Sequence, residues 1–297
     1  MLNCDTGEVL AMVNLPDFNP NDREDITAGH FKNRAVTDVF EPGSTIKPFT
    51  LSLALAQGVF TPDSRIMTGP GVHYVGGRRI RDIRDYGDLS FAEVLIKSSN
   101  VGTAKVALEM APEALYNTLS TVGFGHITGI ELPGEQSGRL LNRERWLPVD
   151  HAWLSFGYGL STTLLQLARA YAALANGGTL YAPRVGKAIV GPDGSVIQRI
   201  EPEKVGTVEL PASTIGYIDD ALKGVTRQGT MAWRMGGFPL DEVEIRSKTG
   251  SAEVYGKQST SWVASYSDDY VVIMMVSQGG TGSGTSGPAV RAIWEAL

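Results

Sequence analysis

Ser44 and Lys47 lie three residues apart in the run Glu41-Pro42-Gly43-Ser44-Thr45-Ile46-Lys47-Pro48. Residues at i and i+3 share one face of a helix, so the two side-chain tips can meet. A serine hydroxyl is a poor nucleophile until a base takes its proton, and a lysine held neutral can be that base. Apolar burial and a nearby positive charge both push a lysine toward its neutral form. A serine at a helix start also brings free amide groups and the positive end of the helix dipole toward a developing oxyanion. Pro48 has no amide hydrogen, so the Ser44 carbonyl is expected to lack its usual helical donor. A capping serine followed by a solvated lysine gives the same Ser-x-x-Lys spacing, and the spacing alone does not separate the two.

Two further clusters carry similar chemistry. In Ser98-Ser99-Asn100 a hydroxyl could relay a proton and a side-chain amide could hold a carbonyl. An ordinary turn between helices would use the same residue types. In Lys248-Thr249-Gly250-Ser251 an ammonium and two hydroxyls could grip a carboxylate, while Gly250 lets a ligand approach the backbone. The competing reading is an edge strand with a solvated lysine.

The elements that must position these residues can be read from pattern. Residues 44–57 carry apolar Ile46, Phe49, Leu53 and Leu55 and end at Gly58, predicting a helix that presents Ser44 and Lys47. Ser90-Phe91-Ala92-Glu93 is a capping box and opens a helix that stops at Ser98-Ser99-Asn100. Helices are expected over 101–110, 112–122, 166–175 and 215–225, the third of these closed by Asn176-Gly177-Gly178. Residues 242–252, 261–266 and 270–277 read as three strands, and Val271-Val272-Ile273-Met274-Met275-Val276 lacks alternation, as suits burial on both faces. A turn at Asp5-Thr6-Gly7 leads into an expected strand over 8–14, and the stretches 17–25 and 279–287 read as loops. Residues 61–89 have no steady period and predict short turns and ribbons, and Pro288 suits the first turn of a closing helix. Strands at both ends with helices between them imply one sheet shared by the two termini. A turn so close to Met1 suggests that the sequence begins inside a longer protein.

Composition narrows the classes. The chain has 297 residues, long enough for one large or two ordinary domains. Its net charge of -6 shows no basic surplus, which argues against a nucleic-acid partner. No apolar run approaches the roughly 18 residues of a membrane helix. Cys4 is the only cysteine, which leaves no internal disulfide and no thiolate metal cage. His30, His73, His126 and His151 show no paired ligand spacing, so no metal site is expected.

Ser-x-x-Lys, Ser-x-Asn and Lys-Thr-Gly in this order resemble the motif set of penicillin-binding proteins and serine β-lactamases. The surrounding runs, Phe40 to Pro48, Lys97 to Gly102, Gly157-Tyr158-Gly159-Leu160-Ser161 and Arg246 to Gly250, resemble the transpeptidase domain of class B penicillin-binding proteins over essentially the whole chain. Residues 249–261, with Ala252-Glu253-Val254, further resemble the penicillin-binding protein 2 or A branch of Gram-positive bacteria.

The resemblance implies an α/β (α+β) fold in which a five-stranded antiparallel sheet flanked by helices adjoins an all-helical lobe. The sheet lobe would come from about 1–30 and 240–297, the helical lobe from about 60–160, with the site between them. It implies a peptidoglycan D,D-transpeptidase in which Ser44 attacks the D-Ala-D-Ala bond of a stem peptide and Lys47 takes its proton. Ser98 would pass a proton to the leaving nitrogen, and Asn100 would hold Lys47 and the substrate amide. Lys248, Thr249, Gly250 and Ser251 would meet the terminal carboxylate, and the backbone amides of Ser44 and Ser251 would form the oxyanion hole. No metal or organic cofactor is implied. Stem peptides, β-lactams and, in the full-length protein, a membrane glycosyltransferase are the implied partners, at the extracytoplasmic face of the membrane. The anchor and N-terminal pedestal of a full class B protein are not expected within this sequence.

Ser99 stands where class A β-lactamases have Asp, and Glu131-Leu132-Pro133-Gly134-Glu135 resembles a transpeptidase turn rather than a loop that activates a deacylating water. The alternatives are a β-lactam sensor, a serine β-lactamase, or a degenerate scaffold that would have no need of the three intact motifs.

Overall fold

The computed structural model describes residues 1–22, 24, 26–141, 144, 146–253 and 256–297. Arg23 and Asp25, in the expected loop 17–25, and Val254, in the run used for the branch resemblance, lie outside the described residues.

A four-stranded antiparallel sheet forms the centre. Its strands are β1 (Leu2–Asn3), β2 (Arg246–Ala252), β3 (Thr260–Tyr266) and β4 (Tyr270–Val276), in the order β1-β4-β3-β2. Leu2 faces Val271 across β1 and β4, so the two ends of the chain share the sheet. The expected five strands are four among the described residues. Segment 8–14 makes only single bridges, from Val9 to Leu2 and from Glu8 to Arg184. The physical reason is its partner: β1 is two residues long, and a strand without a neighbour to bond along its length does not extend.

Both faces of the sheet are covered, which explains the unbroken apolar run of β4. Trp262, Ala264, Tyr266 and Val271 join the large core that also holds Phe49 and Leu51 of helix α1 (Lys47–Ala56), on the sheet face covered by the helix Leu164–Ala175. Val263 and Val272 on the opposite face pack with Val290 and Trp294 of the closing helix. The remaining main helices are α2 (Phe91–Ile96), α3 (Asn100–Leu108), α4 (Pro112–Thr121), α5 (Pro148–Ser155), α6 (Leu164–Ala175), α7 (Ala212–Arg227) and α8 (Gly287–Glu295). The capping box of α2 forms as expected, with Glu93 N donating to Ser90 Oγ and Ser90 N to a Glu93 carboxylate oxygen. The loop expected over 279–287 is instead wound: Gly282–Ser286 forms a π-helical turn leading into α8. Its glycine content reflects crowding, because a Cβ on Gly282 would lie 2.3 Å from the Trp262 carbonyl oxygen.

Helix α1 is buried all round, as its lack of a polar stripe requires. Phe49 meets Phe124 and Tyr171 edge-on at centroid distances of 5.8 and 5.6 Å. The expected ribbons over 61–89 are present. Val72–Val75 pairs with Arg78–Arg81 as an arginine-rich ribbon, and Arg65–Met67 pairs with Asp88–Ser90.

Candidate active site

Ser44 sits in a 3-10 turn, Gly43–Ile46, that runs directly into α1. Pro48 explains the tighter winding. It offers no amide at the α-helical position, and the Ser44 carbonyl accepts from the Lys47 N–H instead. The expected orphan carbonyl is therefore satisfied. The turn is held from all sides: Thr45 Oγ1 donates to the Pro42 carbonyl at 2.9 Å, and Tyr171 OH to the Thr45 carbonyl at 2.7 Å. Trp262 Nε1 of β3 donates to the Glu41 carbonyl at 3.1 Å, tying the turn to the sheet. Gly250 allows β2 to press against it, since a Cβ there would lie 2.8 Å from Pro42 O and 3.1 Å from Thr45 Cγ2. Ser44 itself is half-buried.

Lys47 is the centre of a polar cluster despite being fully buried. Its Nζ donates to Ser98 O at 2.6 Å, Ser98 Oγ at 3.2 Å and Asn100 Oδ1 at 2.8 Å. Lys248, also fully buried, donates from Nζ to the same Ser98 Oγ at 2.8 Å and to the Thr249 carbonyl at 3.0 Å. One hydroxyl thus bridges two lysines from distant parts of the chain. Burial, and then the positive charge of Lys248, hold Lys47 well below the ordinary lysine range, while Asp82 opposes them. Burial brings Lys248 down to about 7. Two ammonium groups around one buried hydroxyl repel each other, which eases loss of the third proton of Lys47. Once neutral, Lys47 has two hydrogens for its three acceptors, so one of the three contacts must then be given up or reversed.

The strand that carries Lys248 also carries the hydroxyls expected to face a carboxylate. Thr249 Oγ1 lies 2.7 Å from Thr230 Oγ1, in the loop after α7. Ser251 is exposed, and its Oγ accepts from the Gly282 amide at 3.1 Å. Helix α7 is tied to this sheet edge by Asp219, which accepts from Arg246 Nε at 2.8 Å and Tyr266 OH at 3.0 Å. Of the residues singled out from the sequence, Lys47, Ser98, Asn100 and Lys248 are joined directly by hydrogen bonds, and the others flank them on the Ser44 turn and on β2. Asp82 and Thr230 were not visible in the sequence. Neither has a local pattern that marks it, because each acquires its partners only through folding.

The Penicillin binding protein transpeptidase domain family matches residues 1–295. The chain belongs to that family. It is 37% identical over 258 residues to the Peptidoglycan D,D-transpeptidase FtsI of Escherichia coli, covering 86% of this chain and 41% of that protein. It is also 37% identical over 255 residues to the Probable peptidoglycan D,D-transpeptidase PenA of Neisseria meningitidis, covering 86% of this chain and 41% of that protein. A solved structure of the TP domain of Burkholderia pseudomallei penicillin-binding protein 3, without ligand, superposes with a TM-score of 0.79 at 32% identity, covering 99% of this chain and 85% of that one. The chain thus spans about two fifths of the length of these curated relatives. All three come from Gram-negative bacteria, so the match does not show the Gram-positive branch expected from residues 249–261.

In this transpeptidase domain a cleft of about 660 Å³ opens beside the lysine cluster and meets it at Asn100. Glu41, Arg79, Arg139, Trp153 and Tyr158 are among the residues lining it. Glu41 accepts from the Gly159 amide at 2.9 Å, yet burial still raises its carboxyl above the usual range. Tyr158 OH accepts from the Glu253 amide at 3.1 Å, linking the cleft to the end of β2.

Proposed function

We propose that this chain is the catalytic unit of a peptidoglycan D,D-transpeptidase, working through an acyl-enzyme on Ser44. The observation that carries this reading is the Ser98 hydroxyl shared by two buried lysines beside the Ser44 turn. Ser44 attacks the carbonyl of the penultimate D-Ala and Lys47, neutral, takes its proton. Ser98 bridges the two lysines and can return a proton to the leaving amine. Asn100 orients Lys47 and holds the substrate amide. The amides of Ser44 and Ser251 receive the oxyanion. Lys248, Thr249 and Ser251 receive the terminal carboxylate, with Gly250 giving room for close approach. The stem peptide runs into the cleft beside Asn100, and a second stem supplies the amine that takes the acyl group.

The location and partners are likewise part of the proposal. Among the described residues no helix is long and apolar enough to cross a membrane. We infer that the domain works at the extracytoplasmic face of the membrane, attached through parts of a longer protein, beside a membrane glycosyltransferase. β-Lactams would acylate the same serine.

The test is transfer. Incubated with a donor peptide ending in D-Ala-D-Ala and an amine acceptor, the purified domain should release D-Ala and form the cross-linked product. Release of D-Ala without transfer at any acceptor concentration would overturn the transpeptidase reading. A chromogenic cephalosporin should give one burst per enzyme followed by very slow turnover, because among the described residues none is evident to activate water against the acyl-enzyme. Rapid steady hydrolysis would mark a β-lactamase instead.

Carboxylate recognition can be checked separately. A charge-assisted hydrogen bond is worth about 1.5–3 kcal/mol, so Thr249→Val should slow acylation by penicillin about ten- to a hundred-fold. A penicillin with its carboxylate esterified should lose little. Equal losses for both ligands would mean that Thr249 only supports the strand.

A further inference from the structure

We propose that Asp82 is a positioning residue for the acylation reaction: through hydrogen bonds to Ser99, Asn100 and Val101 it fixes the turn that presents Ser98 and Asn100 to Lys47. The proposal rests on the acylation reading above and adds a residue that no motif contains.

Asp82 follows the second strand of the arginine-rich ribbon, and its own amide donates to the Gly71 carbonyl at 2.9 Å. The carboxylate is therefore delivered from a backbone pinned elsewhere in the fold. Its two oxygens divide the work. Oδ2 accepts from Ser99 Oγ at 2.5 Å, and Oδ1 accepts from the amides of Asn100 at 2.5 Å and Val101 at 3.1 Å. Those amides belong to the first turn of α3, where backbone donors have no partner within the helix. Ser99 already caps the same helix, accepting from Gly102 N at 2.8 Å. The carboxylate is thus a second cap, supplied through space, and its charge complements the helix dipole.

The consequence for the site follows from the next set of bonds. Asn100 Nδ2 donates to the Arg81 carbonyl at 3.1 Å, on the residue preceding Asp82. With its amide nitrogen committed there, Asn100 must direct Oδ1 toward Lys47, where it lies at 2.8 Å. Ser98 has a φ of 58°, a left-handed conformation that a serine adopts at a cost and keeps only when its surroundings enforce it. That conformation accompanies the placement of both the Ser98 carbonyl and the Ser98 hydroxyl against Lys47. Remove the anchor and the turn can relax, moving the acceptors away from Lys47 while leaving the reacting side chains intact.

The experiment is a double-mutant cycle read by acylation. Rate constants for labelling by a fluorescent penicillin would be measured for the wild type, Asp82→Ala, Asn100→Ala and the pair. Asp82→Asn is added because it retains the shape and one acceptor oxygen. Asp82→Ala should lower the first-order acylation rate constant by about ten- to a hundred-fold, the scale of a displaced catalytic geometry. Asp82→Asn should recover most of that loss, and the dissociation constant of the non-covalent complex should move much less than the rate. Because Asp82 acts through the turn that carries both Ser98 and Asn100, the loss from Asp82→Ala should be clearly smaller in the Asn100→Ala background than in the wild type. Losses that multiply in the double variant, or a wild-type rate in Asp82→Ala, would overturn the positioning role. If Asp82→Ala does not fold, Asp82→Ser, which keeps a polar group but cannot bridge Ser99 and both amides, takes its place in the same cycle, and losses that multiply there overturn the role too. A Ser44→Ala control separates the two hypotheses: labelling that survives in it defeats the acylation reading, whatever the cycle shows.

Discussion

Replacing Ser44 by alanine should abolish covalent labelling by penicillin while leaving the folded domain intact. Loss of an enzyme's nucleophile costs on the order of 10⁶-fold in turnover, so no adduct should accumulate on the time scale of wild-type labelling. The structure gives a reason to expect the fold to survive. The Ser44 turn is held by Thr45 Oγ1, Tyr171 OH and Trp262 Nε1, none of which bonds to the Ser44 side chain. Ser44 is half-buried and at a winding position that alanine accepts readily. Such a change belongs with those that alter stability by about 0.5 kcal/mol or less, or roughly one to two degrees in melting temperature. Peptide mass spectrometry of the wild type should place the adduct on the peptide containing Ser44. A full adduct on the alanine variant would remove Ser44 from the role of nucleophile.

How much of this site is legible in the sequence depends on how local each signal is. The Ser44/Lys47 spacing and the Ser90/Glu93 capping box each lie within about one turn and can be read from neighbouring residues alone, whereas the Nζ hydrogen bonds of Lys47 run to Ser98 and Asn100, far along the chain. The closing hairpin is legible because β-branched and aromatic runs of that length have few other uses, whereas the strand bearing Lys248 has only Thr249 of that kind and is legible chiefly through its Lys-Thr-Gly motif. Asp82 is not, since it lies among turn-like residues of 61–89 and becomes a helix cap only when the ribbon docks on α3. Thr230 is hidden for the same reason, 19 residues from Thr249 in a loop without a pattern. Two expectations failed where tertiary packing overrode composition. Segment 8–14 has strand-like residues but a partner of two residues, and the glycine-rich 279–287 is wound because its glycines let the backbone pack against Trp262.

Lys47→Ala should slow acylation by at least ~10²-fold, the lower range for loss of a general base, with penicillin still bound non-covalently. Lys47→Arg should be as slow, although it retains a cation and a long side chain, because a guanidinium cannot accept a proton near neutral pH. That comparison separates a base from a mere buried charge. The pH profile supplies the sign. Lys47 is held well below the ordinary lysine range by burial and by Lys248, so it is neutral over a window where exposed lysines are charged. As pH falls through its pKa the amine takes a proton, the base is lost, and the acylation rate should fall. Lys248 is expected to work in the opposite sense: as pH rises past about 7 in the free enzyme, it loses the charge proposed to attract a carboxylate. The second-order rate constant for a carboxylate-bearing penicillin should therefore be bell-shaped, with its alkaline limb from Lys248. The alkaline limb should vanish for the esterified analogue, which has no carboxylate to attract, while the acid limb remains. If Lys47→Ala acylates at the wild-type rate at neutral pH, Lys47 is not the base. Lys248, the other amine on the Ser98 hydroxyl, would then be the group to test.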